Sequence, residues 1–108
     1  MEQKLKREPL GKGFFVYVTP HHTFGTDAVL LSHFASAKPK DRMVDLGTGC
    51  GIIPLLMLRD NKLQTAVGVD ISDEATVIAS KTVAEQNIEN FKIINPIRII
   101  NTGYVNNP

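Results

Sequence analysis

The stretch Met43-Val-Asp-Leu-Gly-Thr-Gly-Cys-Gly-Ile-Ile-Pro54 decides the fold, together with Val67-Gly-Val-Asp-Ile71 one helix length later. An apolar strand runs into three alternating glycines, then into a helix and a second strand that ends in a carboxylate. This order is typical of the first half of a nucleotide-binding α/β unit. Glycines tolerate positive φ and lack a Cβ, so Gly47, Gly49 and Gly51 allow a sharp turn and close approach to a ligand. Asp70 is placed to accept hydrogen bonds from two ribose hydroxyls.

The loop differs from a dinucleotide fingerprint at two points. Ile52 stands where Gly-x-Gly-x-x-Gly requires its last glycine, and Asp45 lies just before Gly47. A carboxylate there repels a pyrophosphate but suits a ligand with a cationic amino or sulfonium group. The loop therefore resembles motif I of the class I methyltransferases that use S-adenosylmethionine more than it resembles an NAD loop.

Length and composition restrict the protein class. A chain of 108 residues has room for one small domain, and its 43% hydrophobic and 21% charged residues are typical of globular proteins. A net charge of +1 neither indicates nor excludes nucleic-acid binding. The single cysteine, Cys50, fits a reducing cytosol, and the sequence contains no signal-peptide pattern and no apolar run of membrane-spanning length. We therefore predict a cytoplasmic protein without a membrane segment.

Four segments are predicted along the chain. Residues 1–13 are polar and basic, and we expect a solvated, partly frayed terminus, with an RNA-contacting arm as the alternative. Residues 14–41 contain a short strand over 14–19 and a helix, and the family resemblance given below implies that they pack over the cofactor site. Thr26 is its expected N-cap, and its expected apolar face consists of Leu30, Leu31, Phe34 and Ala35. Residues 42–100 form an incomplete α/β core, and residues 101–108 form an irregular tail.

The core segment predicts an α/β fold of the Rossmann-like class with about three parallel strands and flanking helices. After the first strand we expect a helix over 52–59, a strand over 65–70 and a helix that Ser72 caps. The buried stripe of that helix is expected to be Ala75, Ile78, Ala79 and Val83. A third strand is predicted over 91–94, interrupted by Asn95-Pro96 and resumed over 97–100.

The histidines and the cysteine do not indicate a metal or catalytic site. His21 and His22 are adjacent, and neighbouring side chains of an extended segment diverge, while His33 has no cysteine close in sequence. No motif supplies Cys50 with a base, so packing beside the cofactor is the favoured interpretation. We predict no metal ligand and assign no catalytic residue.

Two motifs at this spacing resemble the tRNA adenine-N6-methyltransferases that modify position 37 of a valine tRNA. The first is Thr23-Phe-Gly-Thr-Asp-Ala-Val-Leu-Leu31, and the second is Asp45-Leu-Gly-Thr-Gly-Cys-Gly-Ile-Ile-Pro-Leu-Leu56 followed by Gly68-Val-Asp-Ile71. The resemblance covers roughly residues 14–94. It implies the N-terminal half of the class I fold, S-adenosylmethionine as cofactor and tRNA as the substrate of the complete enzyme.

The same resemblance assigns roles within the cofactor site. Phe24, Thr26 and Asp27 would pack over the cofactor, and Asp45, Gly47 and Gly49 would line its methionine moiety. Asp70 would bind the ribose and Ile71 would lie against the adenine, with core packing as the alternative for Phe24 and Ile71. The complete candidate set is Phe24, Thr26, Asp27, Asp45, Gly47, Thr48, Gly49, Gly51, Asp70 and Ile71.

Two departures from the family pattern limit what is expected of this chain. Asn95-Pro96-Ile97 stands where the family has a Gly-Asp or similar acidic residue that bonds the adenine amino group, so we expect reduced cofactor affinity. The Asn-Pro-Pro-Tyr segment that grips the target base is absent, and Asn107-Pro108 follows the third strand too soon to replace it. The chain by itself is therefore predicted to be inactive.

The primary hypothesis is a methyltransferase of the tRNA adenine-N6 type, represented by its cofactor-binding half, in which the protein positions and desolvates the reactants. The alternatives are a non-catalytic module that binds the cofactor or another chain, and an NAD-binding half-domain. A complete doubly wound sheet needs on the order of 200 residues, so we expect a truncated or frameshifted copy, or a fragment whose remainder is encoded elsewhere. The third strand would be an open edge that a second chain or the missing C-terminal half covers.

Overall fold

The structure, a computed structural model, describes residues 4–101, except for the side chains of residues 99–101. The elements follow in the order β1 (Lys6–Gly11), β2 (Phe14–Val18), α1 (Thr26–Phe34), β3 (Arg42–Leu46), α2 (Ile52–Arg59), β4 (Thr65–Val69), α3 (Asp73–Glu85), β5 (Phe91–Ile94) and α4 (Pro96–Asn101). No helix in this part of the chain is long and apolar enough to cross a membrane. Of the tail predicted over residues 101–108, residues 102–108, including Asn107-Pro108, lie outside the described residues.

The centre of the molecule is a parallel sheet with the strand order β3-β4-β5. Its two crossovers, through α2 and α3, step in the same direction, and right-handed connections of this kind place both helices on one face. The contacts agree, because a Cβ added to Gly51 before α2 would lie 3.3 Å from the Phe91 ring and 3.7 Å from Ala79 of α3. The predicted α/β fold with three parallel strands and flanking helices is confirmed.

The core is built around α2, which is buried over most of its length. Leu55 is 0% exposed and belongs to one core cluster with Ala66 and Phe91 of the sheet and with Val16 of the β1-β2 hairpin. The helices predicted over 52–59 and after Ser72 are confirmed, and the Ser72 hydroxyl accepts a hydrogen bond from the Ala75 N–H at 3.2 Å.

The N-terminal segment forms a strand from Lys6 onward, which corrects the expectation of a frayed terminus. β1 pairs antiparallel with β2 across a tight turn in which Lys12 has a φ of 54°. The Arg7 guanidinium lies 3.6 Å from the Phe15 ring centroid, and Arg59 donates a hydrogen bond to the Leu10 carbonyl at 2.7 Å. These partners lie outside residues 1–13, so the composition of the segment alone did not predict the strand.

The second edge of β2 is closed by side chains of α3 and of its C-cap residue, Gln86. The Gln86 amide accepts from the Phe15 N–H at 2.8 Å and donates to the Phe15 carbonyl at 2.7 Å. Thr82, which is 1% exposed, accepts from the Tyr17 N–H at 2.9 Å. The hairpin is therefore fixed to the α/β core by hydrogen bonds as well as by apolar contacts.

Two predictions about α1 are corrected. Thr26 is the first helical residue and Gly25 is the N-cap, without a side-chain hydrogen bond. The predicted apolar face is mostly exposed, at 50% for Leu30, 59% for Leu31 and 75% for Phe34. The helix instead packs against α2, and its buried side carries Ser32 and the partly buried Ala28.

The chain turns into a helix after β5, which corrects the strand predicted over 97–100. The Asn95 side chain accepts a hydrogen bond from the Ile97 N–H at 2.9 Å, as an N-cap residue does, and Pro96 occupies the first helical position. A proline costs no hydrogen bond there. Asn101, the first residue of the predicted irregular tail, belongs to α4.

Candidate functional site

The candidate site lies where β3 and β4 end side by side. The loop after β3 is tied to β4, because the N–H groups of Gly47 and Thr48 both donate to the Val69 carbonyl, at 2.7 and 3.0 Å. Ligands of open α/β sheets bind at this carboxyl edge. The local sequence thus holds the glycine loop in one position at the edge of the sheet.

Gly47 and Gly49 form an open surface on this loop. Their φ values are 72° and 59°, a region that costs other residues strain, and a Cβ on either would meet nothing within 4 Å. Their backbone is therefore accessible to a ligand. Gly51, with a φ of 86°, is different because it is buried against Phe91 and precedes α2.

Asp45 is the first of two carboxylates at the loop. The Thr48 hydroxyl donates to its Oδ2 at 2.8 Å, and Thr48 is 5% exposed. Burial raises the pKa of the Asp45 carboxyl above its ordinary value; the hydrogen bond from Thr48 opposes the shift, and the Asp70 carboxylate adds to it. The protein therefore offsets only part of the cost of burying the negative charge of Asp45, and a cationic ligand would stabilise the ionised form.

Asp70 is the second carboxylate and it holds the loop from β4. Its Oδ2 accepts from the Gly49 N–H and its Oδ1 accepts from the Ser72 N–H, both at 2.9 Å. A carboxylate offers about four acceptor positions, so both oxygens can still accept a hydrogen bond from a diol. Asp70 therefore combines a structural contact with remaining capacity for a ligand.

Gly68 is a site residue that the sequence reasoning did not single out. It lies in β4 opposite Asp45, and a Cβ there would be 2.8 Å from the Thr48 Oγ1. Only glycine leaves room for Thr48 to reach Asp45. An isolated glycine inside an apolar strand pattern is the signal that could have identified it.

The remaining candidate residues are not all brought together at the loop. Ile71 follows Asp70 and is 72% exposed, whereas Phe24 is partly buried against the core. Thr26 and Asp27 are exposed in the first turn of α1. The structure therefore unites Asp45, the loop residues and Asp70, with Ile71 beside them, while Phe24, Thr26 and Asp27 make no hydrogen bond to the loop within the described residues.

Asn95 occupies the place of the acidic residue expected after β5. It is 7% exposed, and its Nδ2 donates to Asp73 Oδ1 at 2.9 Å and to the Ile71 carbonyl at 3.4 Å. These bonds connect the ends of β4 and β5. Asn95 thus acts as a structural link beside the candidate site.

The arrangement is suited to binding and positioning a ligand. Cys50 is 2% exposed, and burial raises the pKa of its thiol, which disfavours the reactive thiolate. The Nε2 of His22 lies 3.9 Å from a carboxylate oxygen of Glu74, in the first turn of α3. Between residues 4 and 101, no three side chains of His, Cys, Asp or Glu are grouped so as to hold a metal ion.

Comparisons with known proteins agree with this geometry. The family described as "Methyltransferase small domain" matches residues 16–101. The chain is 36% identical over 66 residues to a tRNA1(Val) (adenine(37)-N6)-methyltransferase of Parabacteroides distasonis, a match that covers 61% of this chain and 27% of that protein. It spans 27 to 36% of the length of the curated relatives it matches.

Solved structures give the same fold. The YcgJ protein of Bacillus subtilis is 26% identical, with a TM-score of 0.56 over 64% of this chain and 29% of that one. The TrmK protein of M. capricolum, solved with S-adenosylhomocysteine, is 20% identical, with a TM-score of 0.58 over 68% of this chain and 32% of that one. The three-stranded α/β core is therefore a Rossmann-like fold of the class I methyltransferase type.

Proposed function

This chain belongs to the methyltransferase small domain family, and we propose that it binds S-adenosylmethionine as the cofactor-binding half of a methyltransferase. The observation that carries the proposal is the pair of carboxylates, Asp45 and Asp70, on either side of an open glycine loop. A cationic group and a ribose diol are the two features of this cofactor that carboxylates recognise. When bound, the cofactor supplies an electrophilic methyl group on a sulfonium centre.

Asp45 is proposed to bind the ammonium group of the methionine moiety. Burial raises its pKa because the hydrogen bond from Thr48 offsets only part of the cost of burying the negative charge. A nearby positive charge would therefore stabilise the ionised carboxylate. The same charge disfavours a pyrophosphate, which argues against an NAD-binding half-domain. Gly47, Thr48, Gly49 and Gly51 would shape the loop around the methionine moiety.

Asp70 is proposed to accept hydrogen bonds from the ribose hydroxyls, and the exposed Ile71 to pack against the adenine ring. Ile71 is 72% exposed, so an adenine ring packed against it would remove apolar surface from water. Phe24, just before α1, and Thr26 and Asp27, in its first turn, are proposed to pack over the bound cofactor. Asn95 offers its amide in place of a carboxylate, and that amide is already used by Asp73.

The substrate is proposed to be the N6 amino group of an adenine in tRNA. This proposal rests on the relatives named tRNA1(Val) (adenine(37)-N6)-methyltransferase and on the paired motifs that resemble them. A tRNA substrate and a single reduced thiol also agree with a cytoplasmic location, which is part of the proposal. Because the sequence has no Asn-Pro-Pro-Tyr segment to grip the base, the 108-residue chain alone is proposed to bind cofactor without transferring methyl groups.

Calorimetric titration of the chain with S-adenosylhomocysteine and, separately, with NADH tests the cofactor. We expect binding of S-adenosylhomocysteine alone, and loss of at least tenfold in affinity for Asp70→Ala. Glu89→Ala is the matched control, because Glu89 is exposed and precedes β5 at the opposite end of the sheet. NADH binding without S-adenosylhomocysteine binding would overturn the proposal in favour of the half-domain for NAD.

A second assay addresses activity. Incubation of the chain with tRNA and radiolabelled S-adenosylmethionine is expected to give no methyl incorporation. Incorporation at adenine N6 by the chain alone would show that the missing base-gripping segment is dispensable. Cofactor binding without activity also fits a non-catalytic cofactor-binding module, and the two interpretations differ in whether a complementing chain restores transfer.

A further inference from the structure

The outer face of the β1-β2 hairpin carries aromatic and basic side chains. Successive residues of a strand point to opposite faces, and Val16 and Val18 point into the core, where they are 0% and 4% exposed. Phe15 and Tyr17 therefore point outward, and both are only partly buried. Arg7 is exposed and pairs with Tyr17 in the register of the hairpin, so it lies on the same outer face. The hairpin thus presents two aromatic rings and a guanidinium on one surface.

These three side chains hold one another in a fixed arrangement. The rings of Phe15 and Tyr17 meet edge to face, with their centroids 5.5 Å apart and an angle of 85° between their planes. The Arg7 guanidinium lies 3.6 Å from the Phe15 ring centroid. The Tyr17 hydroxyl donates to a Glu85 carboxylate oxygen at 2.6 Å, which ties the ring to α3. A ligand would therefore meet rings whose positions are already set, which lowers the entropy cost of binding.

The side chains on this surface carry one positive charge in excess. The Glu85 carboxylate is paired with the Lys81 ammonium at 2.5 Å, so these two charges offset each other. Lys81 also lies 5.1 Å from the Tyr17 ring centroid. Among the residues that the structure describes, the Arg7 guanidinium has neither an ion-pair partner nor a hydrogen-bond acceptor. Its N–H groups are available to a phosphate. We call this set, Arg7, Phe15, Tyr17 and Lys81, the stacking patch.

The chemistry of the stacking patch matches single-stranded nucleic acid. The bases of a single strand have open faces that stack on aromatic side chains, and a guanidinium binds the phosphates between them. The bases of a duplex stack on one another and leave no face for Tyr17. An acidic peptide would use the charge of Arg7 but would leave the rings without a partner. The combination of rings and guanidinium therefore favours a single strand over both of these ligands.

The position of the stacking patch relates it to the candidate cofactor site. α3 begins beside that site, because its N-cap Ser72 follows Asp70 by two residues. The Tyr17 N–H donates to Thr82, ten residues further along the chain than Ser72. At 1.5 Å per residue, this separation along the helix is about 15 Å. An RNA whose target base lies at the carboxyl edge of the sheet would therefore reach the patch with nucleotides that flank the target.

We propose that the stacking patch binds single-stranded RNA next to the nucleotide that receives the methyl group. Tyr17 packs against a base, and the Arg7 guanidinium donates hydrogen bonds to a neighbouring phosphate. The inference rests on the proposed function for the role of this RNA as methyl acceptor, whereas RNA binding itself requires no cofactor. Loss of RNA binding with normal affinity for S-adenosylhomocysteine would contradict this inference alone, and the reverse result would contradict the proposed function alone.

A fluorescein-labelled single strand of about twelve adenosines is the probe, and its binding to the chain is measured by fluorescence anisotropy. An RNA duplex of the same length and an oligoglutamate of similar charge serve as competitors. We expect the single strand to bind, and both competitors to displace it at least about tenfold less well than the unlabelled single strand. Equal competition by oligoglutamate would show that charge alone is recognised, and preferred binding of the duplex would overturn the stacking role.

Two substitutions of Tyr17 separate its ring from its hydroxyl. Tyr17→Leu and Tyr17→Phe both lose the hydrogen bond to Glu85, but only Tyr17→Leu loses the aromatic ring. We expect Tyr17→Leu to weaken binding of the single strand about fivefold or more, and Tyr17→Phe to change it less than about twofold. Equal weakening by the two variants would assign the effect to the lost hydrogen bond and would contradict stacking.

The salt dependence of binding tests the contact between Arg7 and a phosphate. One phosphate contact contributes about 0.7 to the slope of the logarithm of affinity against the logarithm of salt concentration for a single strand. We expect Arg7→Gln to reduce this slope by about 0.7. Arg42→Gln is the matched control, because Arg42 is an exposed arginine at the start of β3, and it should leave the slope unchanged. Equal reductions by both variants would indicate attraction to overall charge and would contradict the phosphate contact.

The amide spectrum of the original chain keeps the proposal testable if Arg7→Gln or Tyr17→Leu does not fold, as judged by circular dichroism. Titration with the oligoadenylate should shift the amide resonances of Arg7, Tyr17 and Lys81 and leave those of Arg42–Leu46 in place. Shifts that spare the stacking patch would overturn the proposal, and so would the absence of binding at tens of micromolar protein in low salt.

Discussion

Replacing Asp45 with asparagine separates the proposed charge recognition from the structure of the loop. The asparagine Oδ1 can still accept the hydrogen bond that Thr48 donates to Asp45 at 2.8 Å, so the loop should keep its geometry. What is lost is the negative charge. We expect Asp45→Asn to weaken binding of ligands that carry the methionine ammonium group and to leave other parts of the cofactor unaffected.

The size of the effect follows from the contact that is lost. A hydrogen bond to a charged group contributes about 1.5 to 3 kcal/mol net. At about 1.4 kcal/mol for each factor of ten, the dissociation constant for S-adenosylhomocysteine should rise by about 10- to 150-fold. Asp45 is only partly buried, so the much larger Coulomb energies of a dry interior do not apply.

Calorimetric titration with two ligands checks this prediction. 5′-Methylthioadenosine contains the adenine, the ribose and the thioether but lacks the amino acid group, so its affinity should be the same for the original chain and for Asp45→Asn. Equal weakening for both ligands would refute a charge-specific role and would indicate a disturbed loop. An unchanged affinity for S-adenosylhomocysteine would refute any contact between Asp45 and the ammonium group.

Without a ligand, we expect the same substitution, Asp45→Asn, to raise the stability of the folded chain at neutral pH. Because the pKa of Asp45 is raised in the folded state, its stabilising contribution is present below the ordinary value of 3.8 and is lost as the pH rises through the raised value. At neutral pH the ionised carboxylate therefore opposes folding. Asp45→Asn should raise the melting temperature at pH 7 and change it little at pH 3, and a lower melting temperature at pH 7 would contradict this linkage.

Two further substitutions test the framework around the site. Gly68→Ala places a Cβ 2.8 Å from the Thr48 Oγ1 and should cost about 1 to 3 kcal/mol, measured by urea unfolding, together with affinity for S-adenosylhomocysteine. Unchanged stability would mean that Thr48 has room to move. Gln86→Ala removes both hydrogen bonds to Phe15 and should cost about 1 to 3 kcal/mol, whereas the exposed Ser80→Ala on the same helix should change stability little. Equal effects of Gln86→Ala and Ser80→Ala would argue that the two Gln86–Phe15 hydrogen bonds contribute little to stability.

The sequence was sufficient to predict the parallel core because its signals are local. Gly47, Gly49 and Gly51 all adopt positive φ, and the strands before and after α2 are apolar runs that a buried parallel sheet requires. Asp45 and Asp70 end neighbouring strands, so their proximity follows from the strand order. Their placement was predictable from the motif without knowledge of distant contacts.

The predictions for the N-terminal segment, for α1 and for the residues after β5 were wrong because distant contacts or a helix cap determine the structure there. β1 is held by a hydrogen bond from Arg59 and by pairing with β2, and the composition of residues 1–13 cannot predict these distant contacts. Asn95-Pro96 fits a strand break, which is the prediction above, and equally an N-cap followed by proline at the first helical position, which is what the structure contains. The apolar face of α1 is exposed, and periodicity identifies an apolar face but does not determine which element covers it.

The register of β3 against β4 decides where Asp45 points. Successive residues of β3 point to opposite faces of the sheet, so Asp45 points to the side of Thr48 while Val44 and Leu46 point to the opposite face, where they are exposed. A slip of one residue against β4 would exchange these sets and turn Asp45 away from Thr48. The hydrogen bonds that the N–H groups of Gly47 and Thr48 donate to the Val69 carbonyl oppose that slip. The loop therefore holds in place the carboxylate that we propose recognises the cofactor.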